Sequence, residues 1–164
     1  MVTNDPHILE TIHTKVTHEF SKTLEMFGLS PQDARLFVTL YLHQTPMTLD
    51  EMSEALGKSK TSMSTNVRTL SDLNLVTRVW KKGVRKDLYQ ANTQLFKSFM
   101  NSYINKWIDA TIHQKDALEE TNHSVEKELS KGETPELQQL SHKLQDIIFF
   151  HTQVELLFRQ MKQD

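Results

Sequence analysis

A chain of 164 residues with 37% hydrophobic and 24% charged side chains, four glycines and four prolines has the make-up of a folded, helix-rich protein, either one domain or a compact domain with an oligomerisation extension, not of a disordered segment. The absence of cysteine excludes disulfides, thiolate metal sites and cysteine nucleophiles; with no run of about 18 apolar residues and no signal-like pattern in MVTNDPHILE, no membrane span and a cytoplasmic location are expected. The net charge of −2 is unevenly spread: from Gly57 to Gln90 eight cations meet two carboxylates, a local +6 that leaves −8 elsewhere, as for a basic docking surface on an acidic body.

Taken in chain order, Ile8, Ile12, Val16, Phe20, Leu24 and Phe27 fall at the three- and four-residue spacing of one helix face. Gly28 stops that helix. Ser30 followed by Pro31 offers an N-cap and a first helical residue for a second helix running to about His43. After Pro46, Thr48 and Glu51 have the spacing of a capping box, which starts a short helix ending at Leu56-Gly57; Ser59 then caps a longer helix reaching about Leu73. Two helices joined by a short glycine-containing turn over Thr48 to Leu73 predict a helix-turn-helix.

Beyond Asn74 the period changes. LVTRVW and DLYQA are short, β-branched and aromatic, and they flank the basic turn KKGVRK, predicting a two-stranded wing. From Thr93 the helical period returns with Leu95, Phe96, Phe99, Met100, Tyr103, Ile104, Trp107, Ile108 and Ile112, continuing more polar to about Leu129. A turn over Lys131 to Pro135 then precedes a last apolar-striped helix. The expected fold is mainly α: a winged helix-turn-helix domain with a two-stranded β wing at 29–92, an N-terminal dimerisation helix at 1–28 and a C-terminal helical dimerisation region at 93–164. The terminal stripes are too apolar to stay uncovered, and a two-fold dimer buries them.

A recognition helix must grip its own domain with one face and offer polar and basic groups to DNA with the other. In Ser59 to Leu73, Met63, Val67 and Leu70 form the inward stripe. Ser59, Lys60, Thr61, Ser62, Ser64, Thr65 and Arg68 are left for phosphates and base edges, with Arg68 suited either to a phosphate or to a bidentate guanine contact. The wing adds Lys81, Lys82, Arg85 and Lys86, with Gly83 permitting a tight turn and Arg85 the residue best placed to enter an A·T-rich minor groove. Alone, such a cluster reads equally well as a solvated hairpin; directly after a helix-turn-helix it reads as a DNA contact.

The run ALGKSKTSMSTNVRTLSDLNLVTRVW followed by KKGVRKDLY resembles the MarR-like winged helix-turn-helix regulators, and SKTSMS with VWKKGVRKDLY resembles their GbsR-type branch. The resemblance covers about Leu36 to Ala91. It implies a dimer built from the terminal helices, a helix-turn-helix at about Thr48 to Leu73, repression of target genes, and control of uptake or synthesis of osmoprotectants such as glycine betaine and choline; the two-fold dimer on double-stranded DNA in turn predicts a palindromic operator.

Phe99, Tyr103 and Trp107 recur every four residues, and Phe37 and Tyr41 stand at the same spacing on the second helix. Such rings either form ordinary core or cage a small quaternary ammonium effector through cation–π contacts. No P-loop, dinucleotide glycine fingerprint, GxSxG or HExxH is present; His13 and His18 are five apart and His142 and His151 nine apart, so no metal, cofactor or enzymatic activity is expected. Two other readings remain at this level: a winged-helix module that binds a protein without DNA, and a MarR-like regulator responding to another small effector.

Overall fold

A computed structural model describes residues 6–162. The chain divides into two compact units, one ending at Phe99 and the other beginning at Met100, so that the first helix falls in the same unit as the winged helix.

The first unit opens with α1 (Pro6–Met26), ended by Gly28 at φ 85, and continues with α2 (Pro31–Leu42). Ser30 caps α2 by accepting the Asp33 amide at 3.1 Å. Helix α3 (Leu49–Leu56) starts on the predicted capping box, with the Thr48 amide donating to Glu51 Oε2 at 2.6 Å and the Glu51 amide to Thr48 Oγ1 at 3.2 Å. Gly57, left-handed at φ 62, closes α3, and Ser59 caps α4 (Lys60–Asp72) by accepting the Ser62 amide at 3.1 Å.

Strands β1 (Val76–Val79) and β2 (Leu88–Ala91) form the antiparallel wing, with Val76 opposite Ala91 and Val79 opposite Leu88. The sequence does not anticipate that Met47 joins this sheet through an isolated bridge. Its amide donates to the Tyr89 carbonyl at 2.8 Å and the Tyr89 amide returns a bond at 2.9 Å. A one-residue bridge has no alternation to read. The core gathers Leu36, Phe37, Val38, Met52, Met63, Leu70 and Leu75, all fully buried, so that α2, α3, α4 and the root of the wing share one apolar interior. Leu24 is buried at the C-terminal end of α1 and Phe20 and Phe27 pack on the core, whereas Ile8, Ile12 and Val16 of the same stripe are uncovered.

Helix α5 (Leu95–Lys131) begins two residues later than the apolar pattern indicates, because the Asn92 side chain accepts the Gln94 amide at 3.0 Å and holds the chain in a turn first. In the second unit α5 pairs with α6 (Pro135–Met161), which Thr134 caps at 3.2 Å from the Leu137 amide. Partners descend along α6 as they ascend along α5, the mark of an antiparallel hairpin. Trp107 meets Phe158 at 5.5 Å between ring centres, Lys115 meets Glu155 at 2.7 Å and Asn122 meets Gln145 at 3.0 Å. Ile104, Ile108, Val125 and Leu144 are buried, while Leu140, Ile147, Phe149, Phe150, Leu156 and Leu157 of α6 are exposed.

Candidate nucleic-acid interface

Helix α4 is seated by its inward stripe of Met63, Val67 and Leu70 and by one polar tie, the Asn66 amide donating to buried Asp33 at 2.6 Å. Its other residues follow the expected division. Lys60, Thr61, Thr65 and Arg68 are exposed, and Ser62 and Ser64 are half-buried. Of the hydroxyls expected to face DNA, two are engaged within the helix: Ser59 is committed to the cap, and Thr65 donates to the Thr61 carbonyl at 3.2 Å. Arg68 has no carboxylate within ion-pair distance among the described residues.

The wing tip runs from Trp80 to Asp87, all of it exposed. The Val84 amide donates to the Lys81 carbonyl at 3.1 Å and Gly83 sits at φ 84, the position in a type II turn that demands a positive φ. Lys81, Lys82 and Arg85 have no carboxylate partner among the described residues, whereas Arg78 pairs with Asp87 at 2.5 Å at the base of the hairpin. Trp80, 82% exposed, adds an aromatic face beside these cations.

Lys60 and Lys86 differ from the other cations. Both reach Asp50 in the first turn of α3, Lys86 Nζ at 2.6 Å from Oδ2 and Lys60 Nζ at 3.1 Å from Oδ1. The hydrogen bond from Lys86, then that from Lys60, holds the Asp50 carboxyl below its ordinary value, and Asp50 in turn raises Lys86. Glu51, next in sequence, is likewise lowered, chiefly by the Thr48 amide. Sequence reasoning misses Asp50 because its partners lie ten and 36 residues away and a carboxylate in a first turn already has a sufficient explanation in the helix dipole.

The five rings considered for an effector fall into two groups. Phe37 and Phe99 are buried in the core of the first unit, edge to face at 5.0 Å, with Tyr41 stacked on Phe37 at 6.1 Å. That is the packing of a core. Tyr103 and Trp107 belong to the second unit, 5.7 Å apart, with Trp107 45% exposed. Among the described residues no three His, Asp or Glu side chains gather as a metal site, and no helix is long and apolar enough to cross a membrane.

Comparison with known proteins agrees with this geometry. The family model described as MarR family matches residues 27–81. The HTH-type transcriptional repressor OpcR of Bacillus subtilis (strain 168) is 31% identical over 84% of this chain and 75% of its own length. The HTH-type transcriptional repressor GbsR of the same organism is 34% identical over 78% of this chain and 71% of its own. A solved structure described as a transcriptional regulator superposes with a TM-score of 0.59 at 16% identity, covering 93% of this chain and 99% of that one, and supports the fold.

Proposed function

The chain belongs to the MarR-like winged-helix transcription regulators, and from that premise we propose that it binds double-stranded DNA as a cytoplasmic homodimer and represses the genes whose operators it occupies. One observation carries the reading: Arg68 on the helix-turn-helix and Lys81, Lys82 and Arg85 on the wing are exposed and have no carboxylate partner among the described residues. Phosphates are the natural counter-charge for such a face. The uncovered apolar residues of α1 and α6, Ile8, Ile12 and Val16 with Ile147, Phe150 and Leu157 among them, supply surface for a second copy. Two-fold symmetry then sets two recognition helices about 34–36 Å apart and calls for a palindromic operator.

Selection of bound sequences from a random duplex pool, with the winner titrated at several salt concentrations, tests the reading. An inverted repeat whose affinity falls steeply with salt is expected. No enrichment and no salt-sensitive binding would replace it with a winged helix that docks on protein. Sedimentation at micromolar concentration should give a dimer, and a monomer would remove the palindrome.

The GbsR-type resemblance extends the proposal to osmoprotectant genes, and the half-open Tyr103–Trp107 pair is the ring surface on which a quaternary ammonium group would rest. Calorimetry with choline and glycine betaine tests this part. Heat of binding that disappears in Trp107→Ala supports it, and no heat with either ligand discards it in favour of another effector.

A further inference from the structure

Among the described residues Asp50 is the one carboxylate that pairs with both α4 and the wing, and this arrangement has a cost for any phosphate that approaches them. Lys86 belongs to the wing and Lys60 to the first turn of α4, and their ammonium groups converge on the two oxygens of the same carboxylate at 2.6 and 3.1 Å. All three side chains remain open to solvent, at 65%, 58% and 45% exposure for Lys86, Lys60 and Asp50, so a phosphate reaches them without opening the core. Glu51 makes no ion pair with either lysine: its Oε2 accepts the Thr48 amide, and it acts on Lys86 only through its charge, less than Asp50 does.

We infer that Asp50 is an affinity-limiting residue of the DNA interface, holding Lys60 and Lys86 out of phosphate contact and so lowering affinity for duplexes of any sequence. The inference rests on the DNA-binding reading. A lysine that exchanges Asp50 for a phosphate gains little, because one anion replaces another, and the released carboxylate then repels the DNA backbone. Arg68, Lys81, Lys82 and Arg85 meet no such competitor, so the contacts they make dominate.

Asp50→Asn keeps the shape of the side chain and removes its charge. Each lysine released to a phosphate steepens the fall of log affinity with log salt by about 0.9 and raises affinity for any duplex on the order of tenfold near 0.1 M salt. The experiment titrates wild type, Asp50→Asn and Asp50→Asn/Lys86→Gln against a selected operator and a scrambled duplex across salt, with circular dichroism to establish that each variant is folded. The expected result is a steeper slope for Asp50→Asn on both duplexes, tighter binding to both with little change in the ratio between operator and scrambled, and partial reversal by Lys86→Gln. An unchanged slope, or weaker binding to both duplexes by folded Asp50→Asn, overturns the inference and makes Asp50 a brace for the wing. No salt-sensitive binding by wild type overturns the DNA-binding reading, and this inference with it.

Discussion

Asn66 of α4 donates a 2.6 Å hydrogen bond to Oδ1 of Asp33 on α2, while Oδ2 of the same carboxylate accepts the Ser30 hydroxyl at 2.7 Å. One buried aspartate thus joins the start of α2 to the middle of the helix proposed to read DNA. Removing one partner of a buried polar group costs more than the bond itself contributes, because the remaining group keeps its desolvation penalty. Asn66→Ala should therefore destabilise the first unit by about 1–3 kcal/mol in urea unfolding. No loss of stability would mean that water replaces the amide without penalty.

At the tip of the wing, Gly83 has φ 84 and open space where a Cβ would stand. Gly83→Ala therefore meets no clash and bears only the left-handed penalty, about 1–2 kcal/mol, which falls on the shape of the turn. Operator affinity should drop by roughly 5–30-fold with little change in melting temperature, and Gly83→Asn should lose less because Asn tolerates this region. Wild-type affinity in Gly83→Ala would show that the turn plays no part in binding.

Arg68 and Arg85 separate two kinds of contact. Arg85→Ala should reduce the salt slope by about 0.9 and weaken binding most where the wing meets a narrow, A·T-rich minor groove. Arg68→Ala should cost about 1–3 kcal/mol on the operator and relax preference at one base pair, provided that Arg68 reads a base. Both variants should sediment as the wild type does, since neither residue lies on the apolar faces of α1 or α6.

In the second unit Glu155 accepts Lys115 at 2.7 Å and Arg159 at 2.8 Å. The Lys115 bond, followed by that of Arg159, lowers the Glu155 carboxyl from its ordinary 4.5, while Glu155 raises Lys115 from 10.5. A depressed carboxyl contributes stability that is complete above its unfolded value and is lost as pH falls through the folded one. Wild type should accordingly melt above Glu155→Gln at neutral pH, and the gap should close as pH drops below 4.5. Paired melting curves from pH 7 to 3 check this; a gap that does not change with pH would assign the effect of the substitution to packing.

Much of the fold is legible because the chain marks its own helix ends. Ser30 with Pro31, Thr48 with Glu51, Gly57 and Ser59 all act within five residues of their own position, and each one caps or closes the helix that its spacing indicates. What stays hidden is pairing at a distance. Asp33 with Asn66 and Asp50 with Lys86 are 33 and 36 residues apart, and no local pattern tells a lysine destined for a carboxylate from one left to solvent. The aromatic stripe is hidden for a related reason. Phe99, Tyr103 and Trp107 are equivalent in periodicity, yet the boundary between the compact units falls after Phe99, leaving that ring in a closed core and Trp107 nearly half open. Period identifies the face of a helix but not what covers it.

The reciprocal bonds between Met47 and Tyr89 also limit how far the wing extends. They fasten β2 to the connection before α3, so only the stretch between Val79 and Leu88 projects. Going out and back over that stretch, a chain reaches at most about 14 Å. A minor groove is about 6 Å wide and 7.5 Å deep. Each wing is thus long enough to fill one groove crossing and too short to touch the next, so on the proposed operator the protected footprint should end sharply, within one groove width of the last base pair that the tip of the wing can reach.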